Sequence, residues 1–399
     1  MTFQAGPGVA AREAAARALH AVLVLGRSLD DSLAKLLPDL PHASDRGLAH
    51  ALAGAALRFL PDLDQLIDSA CARPLPPDSR ARQVLRVALA GRLVLGTPLH
   101  AVVATALPLL EGGPRRLAHA VLSRLDREGA ELPGLPTLPN GWAARWEAAF
   151  GRDAVSAMQQ ALAAPPPLDL RLRVPAEAAD WAHRLGGQSL GEGHVRLPAG
   201  TRVESLPGYV EGAFWVQDLA AQQPVRLLGD VAGRRVLDLC AAPGGKTLQL
   251  ASLGAEVTAL DRDSRRMALL RSNLARTGLS ATTICAQLET WEAAQPFDAV
   301  LLDAPCTATG TFRRHPDVLH RRRPADCEGA GEGQRRLLAH AARFLDPGGT
   351  LVYAVCSVEP EEGEGVIQSV AGLLVENARR LLPGIGPGDG FFIARLRKT

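Results

Sequence analysis

The strongest constraint on the fold lies in the second half of the chain, where short apolar runs of β type alternate with helical stretches. The runs cover residues 236–239, 257–260, 297–302 and 351–355, and each ends near a charged or reactive residue. Continuous apolar runs of this length separated by helical crossovers specify an α/β architecture with a parallel sheet. Open parallel sheets bind ligands beyond the carboxyl ends of their strands. That rule gathers Asp238, Asp261, Asp303 and Cys356 into one candidate site.

The first third reads differently. Ala18, Val22 and Leu25, then Leu48, Leu52, Ala55 and Leu60, recur at helical spacing. Prolines at 38, 41, 61, 74, 76 and 98 cut this pattern into an expected five to seven short helices, with Asp45 and Asp78 as helix-start residues. The prolines of residues 132–141 fix φ and remove donors, so a linker and a domain boundary are expected near 131–140. Residues 142–215 mix a helix over 154–162, a break at Pro165-Pro166-Pro167 and alternating Leu168, Leu170, Leu172 and Val174, the pattern of a small α+β connector. The Gly-rich stretch 328–333 reads as a mobile loop. The expected organisation is a multidomain α and α/β protein: residues 1–131 all-helical, 140–215 an α+β connector and 216–399 an α/β domain.

A chain of 399 residues with 47% hydrophobic content can fill two or three cores. Its net charge of only +2 means that nucleic-acid binding has to come from local clusters of arginine. The six cysteines show no metal-type spacing, so no metal is expected, and a reduced cytoplasm fits them best. Arg12, Glu13 and Arg17 interrupt the N-terminal Ala-rich pattern, unlike a signal peptide. The uncharged stretch 93–110 contains Pro98, His100 and Pro108 and reads as a turn between buried helices, not a membrane span.

The run Asp238-Leu239-Cys240-Ala241-Ala242-Pro243-Gly244-Gly245-Lys246-Thr247 is a strand end and a small-residue turn opening a helix at about Leu248. Small side chains let backbone amides approach a ligand closely. The Gly-Lys-Thr ending resembles a phosphate-binding loop. However, Cys240 stands where that pattern needs glycine, and Pro243 removes an amide donor, which argues against a nucleotide hydrolase. Asp261 follows the next apolar run, where a carboxylate can accept hydrogen bonds from ribose hydroxyls. Two further runs end in Asp303-Ala304-Pro305-Cys306 and Cys356-Ser357. A thiolate adding to C6 of cytosine makes C5 enamine-like and able to attack an electrophilic methyl group. A carboxyl group near N3 assists that addition, a role open to Asp303, and a second thiol can serve as base or relay when the first is expelled. Chemistry alone does not assign the two cysteines.

These residues resemble the NOL1/NOP2/Sun family of RNA cytosine-5 methyltransferases, and within it the bacterial group acting on small-subunit ribosomal RNA. The resemblance rests on Val216-Gln217-Asp218, the run from Asp238 to Thr247, Asp303-Ala304-Pro305-Cys306, Arg313-Arg314-His315-Pro316-Asp317, Cys356-Ser357-Val358-Glu359-Pro360-Glu361-Glu362 and Gly388-Asp389-Gly390-Phe391-Phe392. It implies a class I Rossmann-like domain in which Cys356 is the nucleophile and Cys306 aids release of methylated RNA. It further implies that Cys240, Ala241, Ala242, Pro243, Gly244, Gly245, Lys246 and Asp261 hold S-adenosylmethionine, with Asp303 between cofactor and base, and that the helical N-terminus is a NusB-type RNA-binding module. The chain departs from the family after the third strand, where Gln287 stands in place of the usual acidic contact to adenine, and at Gly363, which replaces an amide residue.

Arg313, Arg314, His315, His320, Arg321, Arg322 and Arg323 form a basic cluster suited to RNA phosphates. Aromatic residues are only 4% of the chain, so recognition is expected to rest on shape, phosphates and a splayed-out base. The expected function is methylation of cytosine C5 in small-subunit ribosomal RNA by a cytoplasmic monomer. A tRNA cytosine methyltransferase or a noncatalytic RNA-binding assembly factor are the alternatives.

Overall fold

The computed structural model describes residues 8–139 and 141–399. They divide into two compact units: the described residues up to Ala164 together with Phe312–Pro324, and Pro165–Thr311 together with Ala325–Thr399.

The first unit is all-helical. Among the described residues, seven α-helices, Val9–Leu23, Leu29–Leu36, Ala43–Arg58, Leu60–Ala70, Arg80–Leu89, Leu99–Ala106 and Gly112–Arg127, are followed by Trp142–Phe150 and Arg152–Ala163. In the first helix Ala15, Ala18, Leu19 and Val22 fall on one buried stripe, facing a core that includes Leu52, Leu63 and Leu85. The stretch expected as a turn at 93–110 holds the helix Leu99–Ala106. No helix of the described residues is long and apolar enough to cross a membrane. The helix starts differ from expectation by a residue or more. Asp45 lies in the first turn of a helix whose N-cap is His42, and Ser79, next to Asp78, caps Arg80–Leu89 by accepting from the Arg82 amide.

The boundary expected at 131–140 is displaced to Ala164. Thr137 donates to Asp62 from its amide (3.0 Å) and its hydroxyl (2.6 Å), and Gln159 Nε2 donates to the Pro136 carbonyl (3.0 Å), so the Pro-rich stretch is pinned to the helical unit. Trp142 and Trp146 are fully buried, and Trp146 stacks on Phe312 at 5.6 Å between centroids. The region expected as a connector is therefore split, its helices joining the first unit and its strands the second.

The second unit holds two sheets. Strands β1 (Leu168–Leu172), β2 (Gln188–Ser189), β3 (His194–Leu197) and β4 (Phe214–Val216) form a small antiparallel sheet in the order β2-β3-β1-β4. Strands β5 (Arg235–Leu239), β6 (Glu256–Asp261), β7 (Thr282–Cys285), β8 (Phe297–Asp303), β9 (Leu345–Val355), β10 (Leu373–Leu381) and β11 (Phe391–Lys398) form a seven-stranded sheet in the order β10-β11-β9-β8-β5-β6-β7. The first five are mutually parallel, and β11 lies antiparallel between β9 and β10. Strand period sets the two faces. Leu237, Leu239, Val300, Leu302 and Tyr353 enter one core, and Val236, Ala299, Leu301 and Val352 the other.

The Gly-rich stretch is not a loop but part of the helix Asp326–Ala342. Its buried residues Cys327, Gly331, Gln334, Leu338 and Ala341 make one stripe, and a Cβ at Gly331 would lie 2.6 Å from the Glu361 carbonyl oxygen. Close packing there, not flexibility, explains that glycine.

Candidate active site

The chain reverses its direction of travel across the sheet between β5 and β8, the switch point at which open α/β sheets bind ligands. Parallel register aligns Leu239 with Leu302 and Asp303 with Ala354, so the ends of β5, β8 and β9 stand side by side, with Asp261 beyond β5 at the end of β6. The turn Cys240–Gly244 runs from β5 into the helix Gly245–Ser252. Gly244 has φ +109°, and a Cβ there would meet Leu270 Cγ at 2.9 Å, so the turn admits only glycine at that position.

Three carboxylates line this end of the sheet. Asp238 is fully buried, and its Oδ2 accepts the Thr247 hydroxyl at 2.6 Å. Burial pushes its pKa up to about 7 against that bond, and Oδ1 has no hydrogen-bond partner among the described residues. Asp261 accepts the Ala242 amide (3.1 Å) on Oδ2 and the Asp263 amide (2.9 Å) on Oδ1, which fixes it under the turn. Asp303 accepts the Lys246 ammonium at 2.7 Å. Burial opposes the Lys246 charge, but the Asp303 carboxylate outweighs it, with help from Cys356, and raises the lysine pKa. The Cys240 thiol, pushed up to about 12 by burial, stays protonated. Gln287 stands two residues beyond β7 with its side chain exposed.

The two cysteines meet. Cys306 Sγ lies 3.4 Å from Cys356 Sγ, and that hydrogen bond together with burial holds the Cys306 thiol well above its ordinary pKa. The loops that carry them are tied by the Gly310 amide, which donates to the Cys356 carbonyl (3.0 Å), and by the Gly390 amide, which donates to Gly310 (2.8 Å). Asp218 Oδ1 in turn accepts the Asp389 amide at 2.9 Å, so the Gln217-Asp218 and Gly388-Asp389-Gly390 motifs buttress the loops. Sequence reasoning passed over Thr307, Gln334 and Tyr353, which form a buried polar cluster around Glu362 behind the thiols. The motif running from Cys356 to Glu362 was the one pointer to it.

The basic run is placed elsewhere. Phe312–Pro324 belongs to the helical unit, where the Arg313 carbonyl accepts the buried Arg58 guanidinium (2.7 Å) and Asp317 accepts the Leu29 amide (3.2 Å). Burial, then the charge of Arg313, lowers the Arg58 pKa to about 10. His320 contacts the Leu57 carbonyl (2.7 Å) and is lowered to about 4 by burial, while His315 meets Asp30 (3.2 Å) and Arg321 meets Asp317 (3.1 Å). Arg313 is buried, Arg314 and Arg322 are half-buried and Arg323 is exposed. The expected phosphate contacts are therefore open only to the less buried members of the run, Arg323 first. No group of side chains fit to hold a metal occurs among the described residues.

Comparison with known proteins agrees with both units. Residues 225–372 match the family model described as 16S rRNA methyltransferase RsmB/F, and residues 9–113 match the NusB family. The ribosomal RNA small subunit methyltransferase B of Xanthomonas campestris is 37% identical over 99% of this chain and 98% of its own length. That of Xylella fastidiosa strain Temecula1 is 37% identical over 98% of each. The crystal structure of PH0851, at 22% identity, superposes with a TM-score of 0.77 over 96% of this chain and 98% of its own, which shows a shared fold. A NusB-type helical unit ahead of a Rossmann-like catalytic sheet, with 37% identity to these relatives over nearly the full length, places the chain in the S-adenosylmethionine-dependent ribosomal RNA small subunit methyltransferase B family.

Proposed function

We propose that this protein methylates C5 of cytosine in small-subunit ribosomal RNA, with Cys356 as the covalent nucleophile and Cys306 as the thiol that assists release. The observation that carries the reading is the 3.4 Å thiol pair at the ends of adjacent strands, beside the Lys246–Asp303 pair at 2.7 Å.

The cofactor's place is supported by the residues present. Asp238 Oδ1 is a buried acceptor without a partner, the turn 240–245 is built of small residues, and Asp261 supplies the carboxylate for a ribose. S-adenosylmethionine bound there supplies an electrophilic methyl group. The chain's own residues do the rest. The Lys246 ammonium lies within electrostatic reach of Cys356, the thiol read as the nucleophile. Addition forms a Cys356 Sγ–C6 bond and moves the C5–C6 π electrons onto C5, while the Asp303 carboxylate accepts a hydrogen bond from the cytosine amino group beside N3. After methylation the C5 proton is lost to solvent, its electron pair restores the C5–C6 double bond and the C6–Sγ bond breaks. Cys306, held protonated 3.4 Å from Cys356, hydrogen-bonds the departing thiolate, which leaves both sulfurs as they began.

In the helical unit, a cleft of about 480 Å³ is lined by Arg17, His20, Arg27 and Lys35, with Asp39 and Asp78 also on its wall. Among the described residues Arg17, Arg27 and Lys35 have no ion-pair partner, an arrangement suited to a phosphate backbone. The test is methyl transfer to unmodified small-subunit RNA and, separately, to tRNA, followed by nucleoside analysis. 5-methylcytidine in ribosomal RNA is expected, with Cys356→Ala inactive and Cys306→Ala accumulating a denaturant-resistant protein–RNA adduct. Label confined to tRNA overturns the substrate, and equal adduct-free loss in both variants overturns the assignment of the cysteines.

A further inference from the structure

We infer that Glu362 is a positioning residue whose carboxylate fixes the spacing of the two thiols, and that this spacing governs release of methylated RNA. The inference rests on the two-cysteine reading above.

Glu362 is fully buried and has no cationic partner among the described residues. Its two carboxyl oxygens are met instead by four donors. The Thr307 amide (2.9 Å) and Gln334 Nε2 (2.8 Å) donate to Oε2, and the Ser357 hydroxyl (2.7 Å) and the Thr307 hydroxyl donate to Oε1. Thr307 follows Cys306 and Ser357 follows Cys356, so one carboxylate grips the residue after each thiol. Gln334 Nε2 also donates to the carbonyl of Pro305, the residue before Cys306, at 3.0 Å. The clamp is itself held from behind, because the Tyr353 hydroxyl lies 2.6 Å from the Glu362 carbonyl oxygen and 3.0 Å from Gln334 Oε1.

A buried carboxylate is costly unless hydrogen bonds replace its water, and once they do it is a stiff anchor. Here both sides of the anchor are the loops whose relative placement sets the 3.4 Å thiol contact. Attack at C6 needs one thiol, whereas release needs the second within reach of the adduct. Loosening the clamp therefore slows release more than attack.

The discriminating pair is Glu362→Met and Glu362→Gln in the full-length chain. Methionine has a similar length and no comparable acceptor, so it leaves the donors of both loops unanswered. Glutamine can turn its amide toward the two hydroxyls and its oxygen toward Thr307 N and Gln334, which preserves the clamp without the charge. In Glu362→Met, turnover on unmodified ribosomal RNA is expected to fall roughly 10- to 100-fold. Single-turnover transfer should fall less, adduct should accumulate as in Cys306→Ala, and cofactor affinity should be unchanged. Bridging of Cys306 to Cys356 by a bifunctional thiol reagent, read by peptide mass spectrometry, should be lost, and Glu362→Gln should recover most of both signals. Turnover of Glu362→Met within about twofold of wild type, or a parallel fall in every step and in cofactor binding, overturns the proposal. If Glu362→Met fails to fold, Thr307→Val should accumulate adduct and Thr307→Ser should not; equal behaviour of those two also overturns it. If Cys306→Ala itself gives no adduct, the two-cysteine reading fails and the bridging assay decides the clamp alone: lost bridging in Glu362→Met upholds it and intact bridging overturns it.

Discussion

Replacing Asp238 by asparagine tests whether the catalytic unit carries a neutral buried acid before any ligand arrives. Burial raises the folded-state pKa of Asp238 from 3.8 to about 7, against the opposing Thr247 hydrogen bond. Below pH 4 the carboxyl is protonated in both folded and unfolded chains and contributes no pH dependence. Between about pH 4 and 7 the unfolded chain ionises while the folded unit keeps its proton, so stability falls as pH rises, and it levels off above the folded pKa. A shift of three units at about 1.4 kcal/mol per unit makes the total fall roughly 4 kcal/mol. Asparagine keeps the shape, can still accept the Thr247 hydroxyl and does not titrate. Relative to wild type, Asp238→Asn should therefore gain stability from about pH 4 to pH 7 and level off above it. Urea titrations read by pulsed hydrogen exchange across β5 report this local stability without assuming that the two units unfold together. A difference between the proteins that is the same at pH 4 and pH 8 would show that Asp238 is ionised in the folded unit and would refute the argument. The same substitution should weaken cofactor binding, since an unpartnered acceptor kept at a cost in stability points to a ligand.

Two further perturbations address the cofactor turn and the helical cleft. Gly244→Ala forces a Cβ to 2.9 Å from Leu270 Cγ at φ +109°. It should cost about 1–3 kcal/mol in melting experiments and abolish binding of S-adenosylhomocysteine by calorimetry, and normal binding would remove the turn from the cofactor site. Arg17→Glu with Arg27→Glu should weaken RNA binding across sequences and reduce the salt slope by about one for each phosphate no longer neutralised, whereas an unchanged slope would place RNA away from the cleft.

The strands of the catalytic sheet were legible because the signal is local: apolar runs of the right length, bounded by turns, form β5, β6 and β8 within a residue of expectation, while β9 begins at Leu345, six residues before the expected run. The reactive residues followed from where those strands end, and parallel register then gathered them. The Gly-rich segment misled because glycine lowers helix propensity locally, yet the buried stripe of Cys327, Gly331, Gln334, Leu338 and Ala341 outweighs that deficit through packing. The Pro-rich stretch misled for a related reason. Composition marks it as unable to be helical, but the double hydrogen bond from Thr137 to Asp62 spans a separation no local pattern records. The Glu362 clamp joins residues 305–307, 334, 353 and 357 and could not be read as a unit from any one motif.

In the basic run after Cys306, a local reading of charge meets packing that no local pattern records. Clustered arginine and histidine predict a polyanion surface, and the charge is real. Yet Phe312, Val318 and Leu319 are interleaved with it and buried, so the segment must dock on something apolar. The docking partners lie far away in sequence, in the Trp142 indole that donates to the Leu319 carbonyl at 3.0 Å, in Arg58 and in Leu29. Once those interactions form, Arg313 is buried and His320 half-buried in the helical unit, while Arg322 is half-buried and Arg323 exposed. Charge in this run thus divides between holding a segment of the methyltransferase sequence to the helical unit and presenting cations outward. Substituting Arg323 should therefore report on RNA affinity, whereas substituting Arg313 should report first on folding of the helical unit.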